Sequence, residues 1–233
     1  MERNRVKKLI NIHAHKQLNK DEYVILNRSP KDHYISVQNN EPFSSGIHPW
    51  RAGNETGLEQ EIAELRSIAS GRLMMAVGES GLDRSRGASI AVQQKVFDLQ
   101  ADIAAAASKP MIIHCVRAFP ELISLRKKYE KSPPWIVHGF SGNSQIMEQL
   151  ISHGFFLSLG PSIINPPSKM AELLLMIPLQ KIFFETDDTD GRVEEIYNTF
   201  ARLRGIGVLE LAEQIRKNFS VIWPHISLNI LQT

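Results

Sequence analysis

Leu9-Ile10-Asn11-Ile12-His13-Ala14-His15 decides how this chain is read. It is a short apolar run whose carboxyl end delivers two imidazoles with one residue between them. In an extended backbone, residues two apart point the same way, so His13 and His15 can converge on one cation. Imidazole is the commonest metal ligand among side chains. The same spacing also describes two exposed histidines at a strand end, so its meaning rests on what the other strand ends supply.

Working outward, residues 23–26, 33–37, 43–47, 73–77, 111–113, 135–137, 155–159 and 182–184 read as strands. Several are continuous apolar runs, as in strands buried on both faces. Leu58, Ile62, Leu65 and Ile68 have helical spacing. Helices are also expected over 89–108, 119–129, 169–176, 193–204 and 209–218, with one more ending at residue 151 and capped by Asn143. No helix fits between His15 and His48, so that stretch is compressed for a repeating β-α unit. Gly78-Glu79-Ser80-Gly81 reads as a sharp turn, and Asn27-Arg28-Ser29-Pro30 as turn chemistry.

Apolar strands alternating with amphipathic helices mean a parallel sheet with helices outside it. His13, Glu79, His114, His138 and Asp187 each fall where an expected strand ends. In a (β/α)8 barrel those ends meet on one face, whereas a doubly wound open sheet spreads them along a line. The expected fold is a TIM (β/α)8-type barrel, one domain over 1–233, with a shortened second β/α unit.

Composition narrows the function classes. A hydrophobic share of 42% over 233 residues suits one large core, and no run approaches the ~20 apolar residues of a membrane span. The net charge of +2 permits an anionic substrate, and no long basic run marks a dedicated DNA-binding face. Arg3, Arg5, Lys7 and Lys8 read as a solvated arm. The single cysteine, Cys115, cannot form an internal disulfide; it reads as a packing residue and suits a cytoplasmic protein.

Histidines and carboxylates without thiolate form an N/O ligand set, which favours zinc, manganese, magnesium, iron or nickel over a structural cysteine–zinc site. Six ligands exceed what one catalytic ion that keeps a water would use. They suit two ions about 4 Å apart sharing a bridging carboxylate.

Asn11-Ile-His13-Ala-His15, Gly46-Ile-His48-Pro49, Val77-Gly-Glu79-Ser-Gly-Leu-Asp83, Ile113-His114, His138-Gly-Phe140-Ser-Gly142 and Glu185-Thr-Asp187 resemble, in order, the motifs of TatD-family metal-dependent hydrolases, a branch of the amidohydrolase superfamily. Asn218-Phe219 is similar to the family's closing helix. The resemblance implies a TIM barrel and a deoxyribonuclease or 3'-5' exonuclease that needs divalent metal, here two ions of zinc, magnesium or manganese. It implies that His13, His15 and Asp187 hold one ion, and that Glu79 bridges to a second held by His114 and His138. Asp187 would also orient the attacking water and take its proton. His48 would contact substrate or back a ligand, and Asp83 would fix the loop after Glu79. Nucleic acid is the implied substrate, DNA ends before RNA, with no membrane and no obligate protein partner.

The chain also departs from the family pattern. Val116 stands where many members carry an arginine, and Arg117 follows it as the expected phosphate contact. Asp188 and Asp190 replace a proline-containing stretch and either cap the next helix or repel a phosphodiester. That repulsion leaves open a metal-dependent ester or amide hydrolase, such as an aminoacyl-tRNA deacylase, on the same site. Trp50 either stacks on a base or simply packs. Arg84 and Arg86 either meet phosphates or stay solvated, and His33, His153 and His225 read as ordinary residues.

Overall fold

The computed structural model describes residues 8–54 and 56–227, so Arg3, Arg5 and Lys7 of the expected basic arm lie outside the described residues. Strands β1 (Leu9–Ala14), β2 (Glu22–Arg28), β3 (Phe43–Ser45), β4 (Met74–Asp83), β5 (Met111–Val116), β6 (Trp135–Val137), β7 (Phe156–Leu159) and β8 (Ile182–Phe184) form one eight-stranded sheet in sequence order. Every neighbouring pair is parallel.

A lone parallel bridge between Ala14 and Asp187 brings the last strand back to the first, giving a nearly closed barrel. His15 N donates to the Asp187 carbonyl and Asp187 N to that of His13, each at 3.0 Å. Beneath the bridge, Asn11 Nδ2 donates to Thr186 Oγ1 at 2.8 Å and Thr186 N donates to Asn11 Oδ1 at 3.2 Å. Buried side-chain hydrogen bonds therefore continue a seam in which the backbone makes little pairing.

Helices α1 (His33–Asn39), α2 (Leu58–Ile68), α3 (Ile90–Ala106), α4 (Phe119–Lys128), α5 (Ser144–Ser152), α6 (Ser168–Met176), α7 (Val193–Arg204) and α8 (Val208–Ile222) follow the strands. Ile12, Val77, Ile113 and Leu157 are fully buried, and burying side chains of this kind contributes roughly 1.5–3 kcal/mol each. Asn143 caps α5 by accepting from Ile146 N at 2.9 Å. Among the described residues, no helix is long and apolar enough to cross a membrane.

Three local expectations need correction. Residues 33–37, read as a strand, form most of α1; alternation over five residues fits two helical turns as well as a strand. The stretch between His15 and His48, expected to hold no helix, holds the seven-residue α1; among the described residues no helix joins β1 to β2, so the second unit is shortened rather than helix-free. Finally, β4 does not stop at Val77 but runs on to Asp83, after a shift of register between Val77 and Ser80. Gly81 is there for closeness to β5: a Cβ on it would lie 1.9 Å from the His114 carbonyl oxygen.

Candidate metal centre

Glu79 projects from β4 into the carboxyl-end mouth of the barrel and is 7% exposed. Asn27, near the end of β2, steadies it from below. Glu79 N donates to Asn27 Oδ1 at 3.0 Å, and Asn27 Nδ2 approaches Glu79 Oε2 at 3.5 Å. Sequence reading assigned Asn27 to a turn and missed this role; extending β2 by two residues would have placed it at a strand end like the others.

The two carboxylate oxygens of Glu79 divide the imidazoles between them. Oε2 faces His13 Nε2 at 3.6 Å and His15 Nε2 at 3.9 Å. Asp187 Oδ1 closes that group, 3.4 Å from His13 and 3.5 Å from His15. Oε1 faces His138 Nε2 at 2.9 Å, His114 Nδ1 at 3.0 Å and His48 Nε2 at 3.1 Å. Thus β1, β4, β5 and the turns after β3, β6 and β8 all deliver to one point. The six residues expected as ligands are brought together, and His48 comes with them.

The partners behind each ring fix which nitrogen points inward. His138 Nδ1 lies 3.2 Å from Glu185 Oε1, which also accepts from Gly139 N at 2.7 Å, so Nε2 is the nitrogen turned toward Glu79. His114 Nε2 lies 3.3 Å from Asp83 Oδ2, which turns Nδ1 inward. Carboxylates placed behind ligating imidazoles in this way set tautomer and basicity. His48 is the opposite case. Its Nδ1 accepts from Trp50 N at 3.2 Å, so Nε2 carries the hydrogen and acts as a donor toward Glu79. In the sequence Glu185 stands out only as part of the Glu-Thr-Asp motif, and the signal for its role is its place directly after β8.

Charge follows the geometry. Burial opposes ionisation of Glu79, yet the charge of His138 and hydrogen bonds from His114, His138 and His48 hold its carboxyl well below the usual range. Burial likewise works against a charged His138, but Glu79 and Glu185 raise it well above an ordinary histidine. The imidazoles of His13 and His15 beside it hold Asp187 far down, and Asp187 in turn raises His15. Burial resists ionisation of Asp83, but Ser85 and Trp50 bring its carboxyl down to about 2.

A divalent cation fits this donor set. His13 is fully buried and neither of its ring nitrogens has a hydrogen-bond partner, a state that is unfavourable for a buried polar group. The inward nitrogens of His114 and His138 lie 3.3 Å apart with a carboxylate oxygen between them. Only a proton or a cation reconciles two such lone pairs. His13, His15 and Asp187 form one group able to hold an ion; Glu79 joins a second with His13 and His138, and a third with His48 and His114.

Around the mouth, a cleft of about 380 Å³ opens from His15, His48 and Glu79 between Arg28 and Arg51. Arg28 pairs with Glu41, and Arg51 with the buried Glu61. Asp190 pairs with Lys16, so one of the two acids after Asp187 is balanced. Neither Asp188 nor Asp190 caps the next helix: α7 begins after Arg192 with no side-chain cap. Arg117 leaves β5 with φ 53° and is exposed, with no ion pair or hydrogen bond from its side chain among the described residues. It is not part of the cluster. Cys115 packs against the core, and burial pushes its thiol up to about 12.

Comparison with known proteins gives a consistent pattern. The family described as TatD related DNase matches residues 2–224. The 3'-5' ssDNA/RNA exonuclease TatD of Erwinia tasmaniensis is 32% identical over 148 residues, covering 62% of this chain and 56% of that protein. Its counterpart in Escherichia coli K12 is 30% identical over 149 residues with the same coverage, so the chain matches about half the length of these relatives. Among solved structures, the TatD homolog YJJV from Escherichia coli superposes with a TM-score of 0.77 at 21% identity, over 92% of this chain and 97% of that one. An uncharacterized amidohydrolase from Saccharomyces cerevisiae gives 0.73 at 12% identity, over 93% and 100%. At these identities the solved structures speak for the fold alone.

Proposed function

The chain belongs to the TatD related DNase family, and from that premise we propose that it is a metal-dependent phosphodiesterase shortening single-stranded nucleic acid from a 3' end, DNA before RNA. The observation that carries this reading is the division of imidazoles between the two oxygens of Glu79, the arrangement a bridging carboxylate needs. His13, His15 and Asp187 would hold one ion, and His114 and His138 the other, with zinc, magnesium and manganese all compatible with the N/O donors. When bound, the ions supply Lewis-acid activation of the phosphoryl oxygen and of a water.

The chain's own groups do the rest. Asp187 Oδ1 faces the imidazoles, which leaves Oδ2 to orient the attacking water and accept its proton. His48, an Nε2–H donor at the cleft, is placed to donate to a phosphate oxygen rather than to bind a cation. Arg117, exposed and unpaired, serves as a phosphate contact from the rim. A cleft of about 380 Å³ lies in the ~300–1,000 Å³ range typical of small-ligand sites, and can take a terminal nucleotide. We take residues 1–233 as one catalytic domain, needing no obligate partner, and place it in the cytoplasm because its one cysteine, Cys115, has no partner for an internal disulfide.

The test is shortening of a single-stranded oligonucleotide with Mg²⁺, Mn²⁺ or Zn²⁺, compared with Asp187→Ala. Loss of the general base and one ligand should lower turnover by about a hundredfold or more. Turnover of carboxyl esters together with inertness toward phosphodiesters would overturn the reading and favour the ester or amide hydrolase. Pairing of Asp190 with Lys16 weakens the charge argument for that alternative.

A further inference from the structure

We infer that Trp50 and Arg86 form a stacking and phosphate-contact platform for single-stranded nucleic acid at the rim of the metal centre. This deepens the phosphodiesterase reading, on which it rests for the identity of the strand.

Trp50 is 43% exposed, whereas Trp135 and Trp223 are 1% and 6% exposed. A large aromatic left in water beside a reactive centre is the unusual observation. Its orientation is fixed: Trp50 Nε1 donates to Asp83 Oδ2 at 2.7 Å. The same oxygen lies behind His114, so the indole is registered to the cluster. Ring centroids place Trp50 4.4 Å from His48 and 5.8 Å from His114.

Arg86 lies over the indole, its guanidinium carbon 3.9 Å from the ring centroid. Its neighbour Arg84 is tied to Glu121, but Arg86 makes no ion pair among the described residues and is exposed. The loop that presents it is held rigidly. Gln93, buried in α3, donates to the carbonyls of Asp83, Arg86 and Ala88 and accepts from Asp83 N. Gly87, at φ 90°, lets that loop lie against Trp50; a Cβ there would be 3.1 Å from the Trp50 Cα.

A guanidinium held 3.9 Å above an indole keeps its charge and N–H groups, and the indole and guanidinium both offer π-faces. Bases stack on such faces without regard to sequence, and the unspent N–H groups suit a phosphate oxygen. The expected chemistry is sequence-tolerant binding of one base and one phosphate beside the scissile bond.

The experiment titrates the full-length, metal-supplied protein with a phosphorothioate oligothymidylate that resists cleavage, following tryptophan fluorescence. Because the other two indoles are buried, quenching should vanish in Trp50→Phe. Trp50→Ala should weaken binding roughly ten- to a hundredfold, the worth of one stacked base. Arg86→Gln, a change on an exposed loop, should weaken binding about fivefold and lower the slope of log affinity against log salt by about 0.7, the loss of one phosphate contact. Undiminished quenching in Trp50→Phe, unchanged affinity and slope in Arg86→Gln, or no binding by the wild type would each overturn the platform. Hydrolysis of bis(p-nitrophenyl) phosphate by the wild type is the separate arm. Its absence would overturn the phosphodiesterase reading, while the titration still decides the platform.

Discussion

On the Oε1 side of Glu79, His114 and His138 each have a carboxylate behind them, Asp83 and Glu185, and both rings are largely covered. On the Oε2 side, among the described residues, neither His13 nor His15 has one; His13 is fully buried, but His15 and Asp187 are 43% and 40% exposed. One half is built to hold its ligand atoms still; the other is open to solvent and to whatever enters the cleft. The physical consequence is a division of labour. Preorganised imidazoles bind tightly, because ordering them requires little further loss of freedom. On the proposed reading, an exposed half would exchange water and substrate more readily and hold an ion less firmly.

The largest effect should come from removing what the halves share. Glu79→Gln should cut turnover by roughly 150-fold or more, the equivalent of about 3 kcal/mol of transition-state stabilisation, and elemental analysis should find metal lost from both halves. Retention of a full complement of metal would break the bridging picture. Next in size, Glu185→Gln should weaken metal binding by about 10–100-fold, the usual effect of losing the carboxylate behind a ligating histidine. Competition against a chromophoric chelator measures it, and only one equivalent should be affected.

Graded chelation sharpens the contrast further. One equivalent should leave at a chelator concentration roughly tenfold lower than the other, and Asp187→Asn should make that first step easier still. Simultaneous loss of both equivalents would mean that the halves do not differ. The smallest effect is on protons. His138 and His15 are raised above the ordinary histidine value of 6.5 by their carboxylate neighbours, so the metal-free chain carries protons there that a cation must displace. Affinity should therefore rise from pH 6 to pH 8, with proton release near neutrality seen by calorimetry in buffers of different ionisation enthalpy. Affinity that is flat over this interval would count against protonated imidazoles in the free protein.

Most of this site was legible because a barrel gathers strand ends, and the apolar runs before His13, His114, His138 and Asp187 are short enough to show where they stop. What sequence could not show was depth. Gly78 and Gly81 look like turn residues, but Gly81 serves close strand approach, so β4 carries Glu79 inside the sheet rather than beyond it. Asp83 and Glu185 were visible as motif letters, yet their service to His114 and His138 depends on contacts across 31 and 47 residues of chain. Residues 33–37 failed for a different reason: two helical turns are too short for a 3.6-residue period to separate from alternation.

The Ala14–Asp187 bridge joins the barrel's first and last staves through the residue between His13 and His15 on one side and a candidate ligand itself on the other. Were a cation held there, letting it go and unfastening the cylinder would be coupled motions. The amides of His15 and Asp187 become reporters of occupancy, trading their hydrogens for deuterium faster when the metal is stripped away.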